Sequence, residues 1–172
     1  MTQAWELLAN HHEKCFQFKC EGPLAEYLGD VSEGDAVSYY GSEVVGSLKD
    51  PLGQTIAISD GALVHLYKDG NGDHTMESQF FQPTRGKRLP WIRHVLANSK
   101  SIYLSSEAMP SGERRLIYTA RVIVPLKDRD VVNYFIVIGR RDKNTNLHFL
   151  TAFPVFEEVE FLEIIERTEP YP

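Results

Sequence analysis

The sequence has few cysteines and lacks a long apolar run. It contains two cysteines in 172 residues, Cys15 and Cys20, which is too few for a disulfide framework and favours reduced thiols in the cytoplasm. No apolar stretch reaches the roughly 18–20 residues that span a bilayer. The N-terminus lacks a basic region followed by an apolar one. We therefore expect a cytoplasmic protein without a signal peptide or a membrane partner.

Several catalytic motifs are missing as well. The sequence contains no Gly-rich phosphate loop, no His-Glu-x-x-His pair and no Gly-x-Ser-x-Gly elbow. His11, His12, Cys15 and Cys20 lie close together, but their spacing does not fit the common zinc patterns. We accordingly expect no nucleotide cofactor and no metal site.

Charge is distributed unevenly along the chain. Residues 83–143 carry 13 Lys/Arg and 5 Asp/Glu, a net charge of +8. Because the whole chain has a net charge of −6, the remaining residues sum to −14. A compact cationic surface on an acidic protein indicates an anionic ligand, of which nucleic acid is the obvious one.

The first half of the chain reads as helices and short strands. The apolar spacing predicts a helix over about 3–14, loops around one or two short strands over 30–53, and a strand at 54–58. Ser59 and Asp60 are good N-caps for a helix over 61–68. Pro90 suits the first turn of a further helix that ends near Asn98.

After Asn98 the apolar period changes to two, which is typical of strands. We predict strands at 101–104, 114–124, 131–138 and 147–153, joined by turns at 127–130 and 142–146. Short connections favour antiparallel pairing, and the nearly continuous apolar run at 131–138 predicts a central strand buried on both faces. Residues 156–167 form either a last strand or a short helix. The predicted fold is α+β: N-terminal helices packed on one face of an antiparallel β-meander sheet, in a single domain.

Three stretches, in this order and spacing, resemble the barnase/EndoU/colicin/RelE-like ribonuclease superfamily and its phage-associated branch. They are 54–59 (QTIAIS) with 62–68 (ALVHLYK), 88–92 (RLPWI) with 95–98 (VLAN), and 149–154 (FLTAFP). The last is similar to a Thr-Ala-Tyr-Pro-type strand, with Phe153 in place of the commoner Tyr. The resemblance implies a nuclease-like core at 54–154, between an N-terminal extension at 1–50 of open role and an acidic segment at 155–172.

This resemblance implies a metal-independent endoribonuclease in which the RNA 2′-hydroxyl attacks the adjacent phosphorus. By resemblance, His65 is the general acid or base, Lys68 stabilises charge, and Thr151 positions the scissile phosphate. The i, i+3 spacing of His65 and Lys68 would place both on one face of a helix. His148 is a reserve catalytic histidine, predicted on the opposite side of its strand from Thr151.

A predicted phosphate-binding face supplies the other candidate residues, Arg121 for catalysis and Arg115 and Thr119 for substrate binding. Arg115, Thr119 and Arg121 share one face of the 114–124 strand, where guanidinium and hydroxyl groups suit a phosphate. Tyr118 lies on the other face; it is either core or, if that face is open, a substrate contact. Arg85 and Arg88, with Lys87, form a candidate loop for binding the RNA backbone.

Other functions remain open at this level. The same scaffold could serve as a non-catalytic nucleic-acid or protein-binding module, or as an adaptor or immunity-like protein whose acidic surface mimics nucleic acid. As an enzyme, the protein is expected to act on RNA as a toxin or phage-related effector and to be held in check by a protein inhibitor. Its acidic ends could also cover the site in cis.

Overall fold

The computed structural model describes residues 16–69, 79–99, 102–105 and 114–170, without the side chains of 65–69, 79, 80 and 170. The predicted helix at 3–14 lies outside these residues, as do His11, His12, Cys15 and His74.

Ten strands and four α-helices make up the described fold. The strands are β1 Phe16–Lys19, β2 Gly46–Lys49, β3 Thr55–Ile58, β4 Tyr67–Asp69, β5 Gln79–Phe81, β6 Ile102–Ser105, β7 Leu116–Pro125, β8 Asp130–Arg141, β9 Leu147–Val155 and β10 Thr168–Pro170. The α-helices are α1 Glu33–Tyr39, α2 Pro83–Gly86, α3 Leu89–Asn98 and α4 Glu158–Glu166. Gly22–Ala25 and Asp60–Leu66 are 3-10 helices, and Tyr40–Val44 is a π-helical turn that continues α1.

One large mixed sheet forms the centre of the molecule. Its strand order is β10-β6-β7-β8-β9-β3-β2, and β1 also pairs with β7. The meander from β6 to β9 is antiparallel, as predicted. Two pairings are parallel, β1 with β7 and β3 with β9, so the prediction of a wholly antiparallel sheet was wrong. Each of these pairings includes a strand of the N-terminal half. That strand is far from its partner in sequence, so no short hairpin imposes an antiparallel direction.

Helices cover both faces of the sheet. On one, here called the α3 face, Trp91 packs edge-on against Phe135, with ring centroids 5.3 Å apart. On the other, the α4 face, Phe161 of α4 stacks on Tyr134, with centroids 4.2 Å apart. The α+β class is therefore confirmed, whereas helix packing on a single face is not. The reason is that the sheet is apolar on both sides and the C-terminal segment forms a helix with its own apolar residues.

The described part of the N-terminal segment, residues 16–50, contributes to the core. Phe18, Cys20, Ala36, Tyr40 and Val44 are all buried in the cluster under the α3 face. Helix α1 occupies part of the region predicted as loops, and the Ser32 hydroxyl caps it by accepting a hydrogen bond from the backbone N–H of Asp35 (3.1 Å). The Gly, Ser and Asp residues of this segment favour turns by intrinsic propensity, so the sequence pattern did not predict the helix.

A β-bulge changes which side chains β9 presents. Gly139 of β8 pairs with Phe149, but its neighbour Ile138 pairs with Thr151, so Leu150 is an extra residue. Phe149 consequently faces α3, while Thr151 and His148 both lie on the α4 face. Strict alternation had predicted Thr151 on the same side as Phe149 and opposite His148, and the bulge overturns both expectations.

The Ser99 hydroxyl bridges a gap in the sheet. The edge of β7 is shared by β6, paired at 116–118, and β1, paired at 120–123. Between them, Ser99 Oγ donates to the carbonyl of Thr119 (3.0 Å) and accepts from its N–H (3.3 Å). Ser99 and Thr119 are fully buried. One hydroxyl thus supplies both hydrogen bonds of a missing ladder residue.

We predict that Ser99→Ala lowers the free energy of unfolding by about 2 kcal/mol, because it leaves a buried N–H and a buried C=O with a hydrogen bond fewer each. Urea denaturation of the two proteins measures the difference. Ser42→Ala is the matched control, since the Ser42 hydroxyl is exposed, and it should change stability by less than about 0.5 kcal/mol. Equal effects of the two substitutions would contradict the bridging role.

Candidate functional site

Two predicted substrate contacts are in the core. Tyr118 and Thr119 have no exposed surface. The Tyr118 hydroxyl donates to Asp50 Oδ2 (2.8 Å), so its polar group is satisfied inside the protein. The backbone of Thr119 is hydrogen-bonded to the Ser99 hydroxyl, and its side chain is fully buried. Neither side chain can reach a ligand in this conformation.

His65 and Lys68 do not share a helix. The 3-10 helix ends at Leu66, and Lys68 belongs to β4, where it pairs with Phe80. Their predicted common helical face is therefore wrong, because the chain changes from helix to strand between them. Both side chains lie outside the described atoms, so their part in a site stays a prediction.

Arg121 and Thr151 share the α4 face but lie at different positions along the strand direction. Arg121 pairs with Tyr134 and Thr151 pairs with Ile138, four residues further along β8. At about 3.3 Å per residue this separates them by about 13 Å along the strand, and they are also two strands apart. Arg121 Nη1 donates to Gln17 Oε1 (2.6 Å) at the edge of the sheet. The structure does not bring these two predicted catalytic groups together.

Arg88 is a buried structural residue. Its guanidinium lies 5.2 Å from the ring centroid of Trp91 and 5.1 Å from that of Phe156, and only 6% of the residue is exposed. It donates to the carbonyl of Thr84 (2.7 Å) and to Asn133 Oδ1 (3.0 Å). Burial lowers its pKa to about 10. A loop arginine that binds an RNA backbone would be exposed, so this prediction fails for Arg88.

Arg85 and His94 are also drawn inward. Burial lowers the pKa of Arg85, whose guanidinium lies 5.9 Å from the ring centroid of Phe153. His94 packs against Phe16 and Phe18, and burial lowers its pKa. The substrate-binding prediction for Arg85 stays open, because part of its surface remains accessible.

A different set of polar side chains meets on the α4 face, at the end of the sheet away from Arg121. Arg140 pairs directly with His148, and Arg115 immediately precedes Leu116, the partner of Gly139. Neighbouring strands are about 4.8 Å apart, so Arg115, Arg140 and His148 form a row across β7, β8 and β9. Thr151 lies two β8 residues further along, opposite Ile138. We call these four residues the basic patch.

Within the patch, His148 is hydrogen-bonded to a carboxylate. Its Nε2 lies 3.0 Å from Asp142 Oδ2, and the two side chains are 40% and 36% exposed. Since a carboxylate accepts, Nε2 carries the hydrogen in this contact and Nδ1 is left to accept a proton. The bond therefore gives the imidazole one preferred tautomer and orientation.

The Asp142 carboxylate is held by the turn between β8 and β9. Its Oδ1 accepts from the backbone N–H of Asn144 (2.8 Å) and Asn146 (2.9 Å), and its Oδ2 also accepts from Asn146 Nδ2 (3.1 Å). The hydrogen bonds from His148 and then Asn146 lower the pKa of Asp142 to about 2. Asp142 is accordingly ionised at neutral pH and fixed in place.

The patch is open to solvent. Arg140 is exposed, and among the described residues none is hydrogen-bonded to its guanidinium. Arg115 is half-buried, and its Nε is a buried donor without a hydrogen-bond partner among the described atoms. Two cationic groups that are not neutralised by described carboxylates, beside an oriented imidazole, suit an anionic ligand.

Sequence reasoning found part of this patch. Arg115, Thr151 and His148 were candidates, whereas Asp142 was predicted only as the start of a turn and Arg140 was assigned no role. The available signal was the spacing around the turn: Asp142 and His148 flank a tight hairpin, so their side chains meet across it.

Other site types find little support in the described part of the molecule. A cavity lined by Arg85, Phe135 and Phe149, among others, has a volume of about 10 Å³, room for about one water molecule. Across residues 16–69, 79–99, 102–105 and 114–170, no three His, Cys, Asp or Glu side chains converge as metal ligands. No helix in those ranges is long and apolar enough to cross a membrane.

Comparison with protein-family models, with curated proteins and with solved structures finds no match for this chain. The nuclease resemblance therefore rests on the sequence motifs alone and stays a prediction.

We predict that the stability advantage of the wild type over Asp142→Asn shrinks as the pH falls from 4 towards 2. The pKa of Asp142 is about 2 in the folded protein and about 3.9 in an unfolded chain, so the unfolded state binds more protons in this interval. The stabilisation is fully present above pH 4 and is lost as the pH falls through 2. Urea unfolding at several pH values measures it; a difference that does not vary with pH would refute the Asp142–His148 contact.

Proposed function

We propose that this protein is a metal-independent endoribonuclease whose active site is the basic patch. The observation that carries the proposal is the imidazole of His148, oriented by the Asp142 carboxylate, with Arg140 opposite it and Arg115 one strand further on the same solvent-exposed sheet face. The proposal is also supported by the basic character of the segment that contributes Arg115 and Arg140 to the patch and by the sequence resemblance.

In the proposed reaction, His148 Nδ1 takes the proton of the RNA 2′-hydroxyl as its oxygen attacks the adjacent phosphorus. The bond from phosphorus to the 5′-oxygen breaks, and that oxygen takes a proton from water; the imidazolium of His148 then gives its proton to the hydroxide that is left. The products are a 2′,3′-cyclic phosphate and a free 5′-hydroxyl. The Asp142 carboxylate stabilises the imidazolium that forms.

Arg115 and Arg140 bind the phosphoryl oxygens, on which charge builds up in the transition state. Their guanidinium groups are planar donors that match two oxygens at once. The Thr151 hydroxyl, on the same face and about 7 Å along the strand direction from the Arg140–His148 pair, positions the phosphate. This assignment places the general base at His148 and not at His65, the first choice from sequence.

A second candidate function has one specific observation in its favour. Cleavage with fast departure of the 5′-oxygen is helped by a second proton-transfer group, and the described part of the patch contains a single imidazole. The same surface without efficient proton donation would be an RNA-binding module. The acidic residues of the C-terminal segment suggest a third candidate, the adaptor or immunity-like role. The same experiment tests it.

The test is incubation of purified protein with mixed single-stranded RNA in EDTA. We predict cleavage that ends in cyclic phosphates and falls at least 100-fold in His148→Asn, because general base catalysis contributes about 10²- to 10⁴-fold. Asp142→Asn should also reduce cleavage, through the loss of imidazole orientation. Product ends are read by mass spectrometry.

A matched pair of arginines separates phosphate binding from general charge. Arg140→Gln should weaken RNA binding and lower the salt dependence by about one released counterion. Arg129→Gln removes the same charge from the β7–β8 turn at the opposite end of the sheet and should change neither. Binding without cleavage would favour the RNA-binding module, and no binding at low salt would favour the adaptor.

A further inference from the structure

A continuous set of side-chain hydrogen bonds joins the core to the β8–β9 turn. It begins at Asp50, which is 5% exposed. Asp50 Oδ2 accepts from the Tyr118 hydroxyl (2.8 Å) and from Gln54 Nε2 (3.0 Å), and Oδ1 accepts from the backbone N–H of Leu52 (3.0 Å) and Gln54 (2.8 Å). A buried carboxylate with four donors is fixed in position, and it fixes the Gln54 amide in turn.

Gln54 connects the buried Asp50 carboxylate to the β8–β9 turn. Its Oε1 accepts a hydrogen bond from Arg141 Nη2, and Arg141 Nη1 donates to the carbonyl of Thr145 (3.0 Å). The amide can satisfy a carboxylate and a guanidinium together in one orientation only, with its NH₂ towards Asp50 and its oxygen towards Arg141. The orientation of the Gln54 amide is thereby determined.

The linkage ends on the turn that holds the Asp142 carboxylate. Thr145 has φ = 67°, a conformation that a threonine adopts only when its surroundings impose it, and its N–H donates to the Asp142 carbonyl (3.0 Å). The same turn presents the N–H groups of Asn144 and Asn146 to the Asp142 carboxylate. Moving the Thr145 carbonyl would displace the groups that aim Asp142 at His148.

We propose that Gln54 and Arg141 are positioning residues, which act through the β8–β9 turn to hold Asp142 against His148. Neither belongs to the basic patch: Arg141 pairs with Leu147 and so lies on the α3 face, opposite His148. The consequence for catalysis rests on the proposed function. The consequence for the Asp142–His148 contact stands on the geometry alone.

Among the described residues, the groups that hydrogen-bond to the Asp142 carboxylate come from one strand and from the turn. His148 comes from β9, and the polar groups of Asn144 and Asn146 come from the turn itself. Lys143 is exposed on the turn, Arg140 of β8 lies opposite His148, and β3 places the uncharged Ala57 beside His148. A change in the titration of Asp142 on substitution of Gln54 therefore reports the position of the turn.

The test is Gln54→Met, which keeps the length and charge of the side chain and removes both of its hydrogen bonds. We expect the pKa of Asp142 to rise from about 2 towards its ordinary value, followed by carboxyl ¹³C NMR. RNA cleavage should show kcat reduced roughly 10- to 100-fold with KM unchanged, since misplacement of a catalytic group costs about this much.

Arg93→Met is the matched control. Arg93 also ties backbone carbonyls together, those of Val44 (3.1 Å) and Ser47 (3.2 Å), but at β2, away from the turn. Arg93→Met should lower the melting temperature by about as much as Gln54→Met does. It should leave both the Asp142 titration and kcat unchanged. A shift of the Asp142 pKa in this variant would show that general loosening produces it, which would overturn the proposal.

The outcomes separate the two proposals. An unchanged Asp142 pKa in folded Gln54→Met overturns the positioning role, whether or not the wild type cleaves RNA. A raised pKa in a protein whose wild type cleaves no RNA supports the positioning role and removes the nuclease. A raised pKa with kcat reduced and KM unchanged supports both.

Discussion

The antiparallel pairing of β8 with β7 and β9 holds the rest of this molecule in place. Both faces of β8 are apolar, so burying it requires cover on two sides, and α3 and α4 supply that cover. Residues distant in sequence reach the centre by pairing with its neighbours: β1 on β7 and β3 on β9. The basic patch exists because this ladder brings Arg140 opposite His148.

A single irregularity in that ladder decides what the patch contains. The extra residue at Leu150 turns Thr151 to the side of His148 and leaves Phe149 in the core. Gly139 suits this place, because a Cβ there would lie 3.3 Å from Leu147 and 3.4 Å from the carbonyl of His148. The bulge thereby adds the Thr151 hydroxyl to the face of β9 that carries His148.

Acidic residues of the C-terminal segment lie at both ends of the sheet. The N-terminus of the acidic helix α4 lies at the Tyr134 end of its face, where Glu158 accepts a hydrogen bond from the Tyr134 hydroxyl (3.1 Å). Tyr134 is six residues from Arg140 along β8, about 20 Å, and this exceeds the roughly 8 Å Debye length at physiological salt. Glu169, on β10 near the other end, is paired with Arg114 (2.8 Å). Arg140 therefore lies beyond the screening length from Glu158.

The sequence by itself determined the elements whose signal is local. The alternation from Leu116 to Val124, the apolar run of β8 and the Pro90 start of α3 predicted strands and a helix that the structure confirms, because burial of one face imposes its period on the residues. Helix α1 escaped prediction because its capping serine and its glycine are equally good turn residues.

Only the tertiary structure decided the partners. The burial of Tyr118 depends on Asp50, 68 residues away, and the rigid position of Arg88 depends on Asn133 and Phe156. The parity change in β9 follows from one inserted residue, and the meeting of Asp142 with His148 follows from the hairpin closing on itself. Periodicity says which residues share a face when pairing is regular; it contains no information on where pairing breaks or which face a helix will cover.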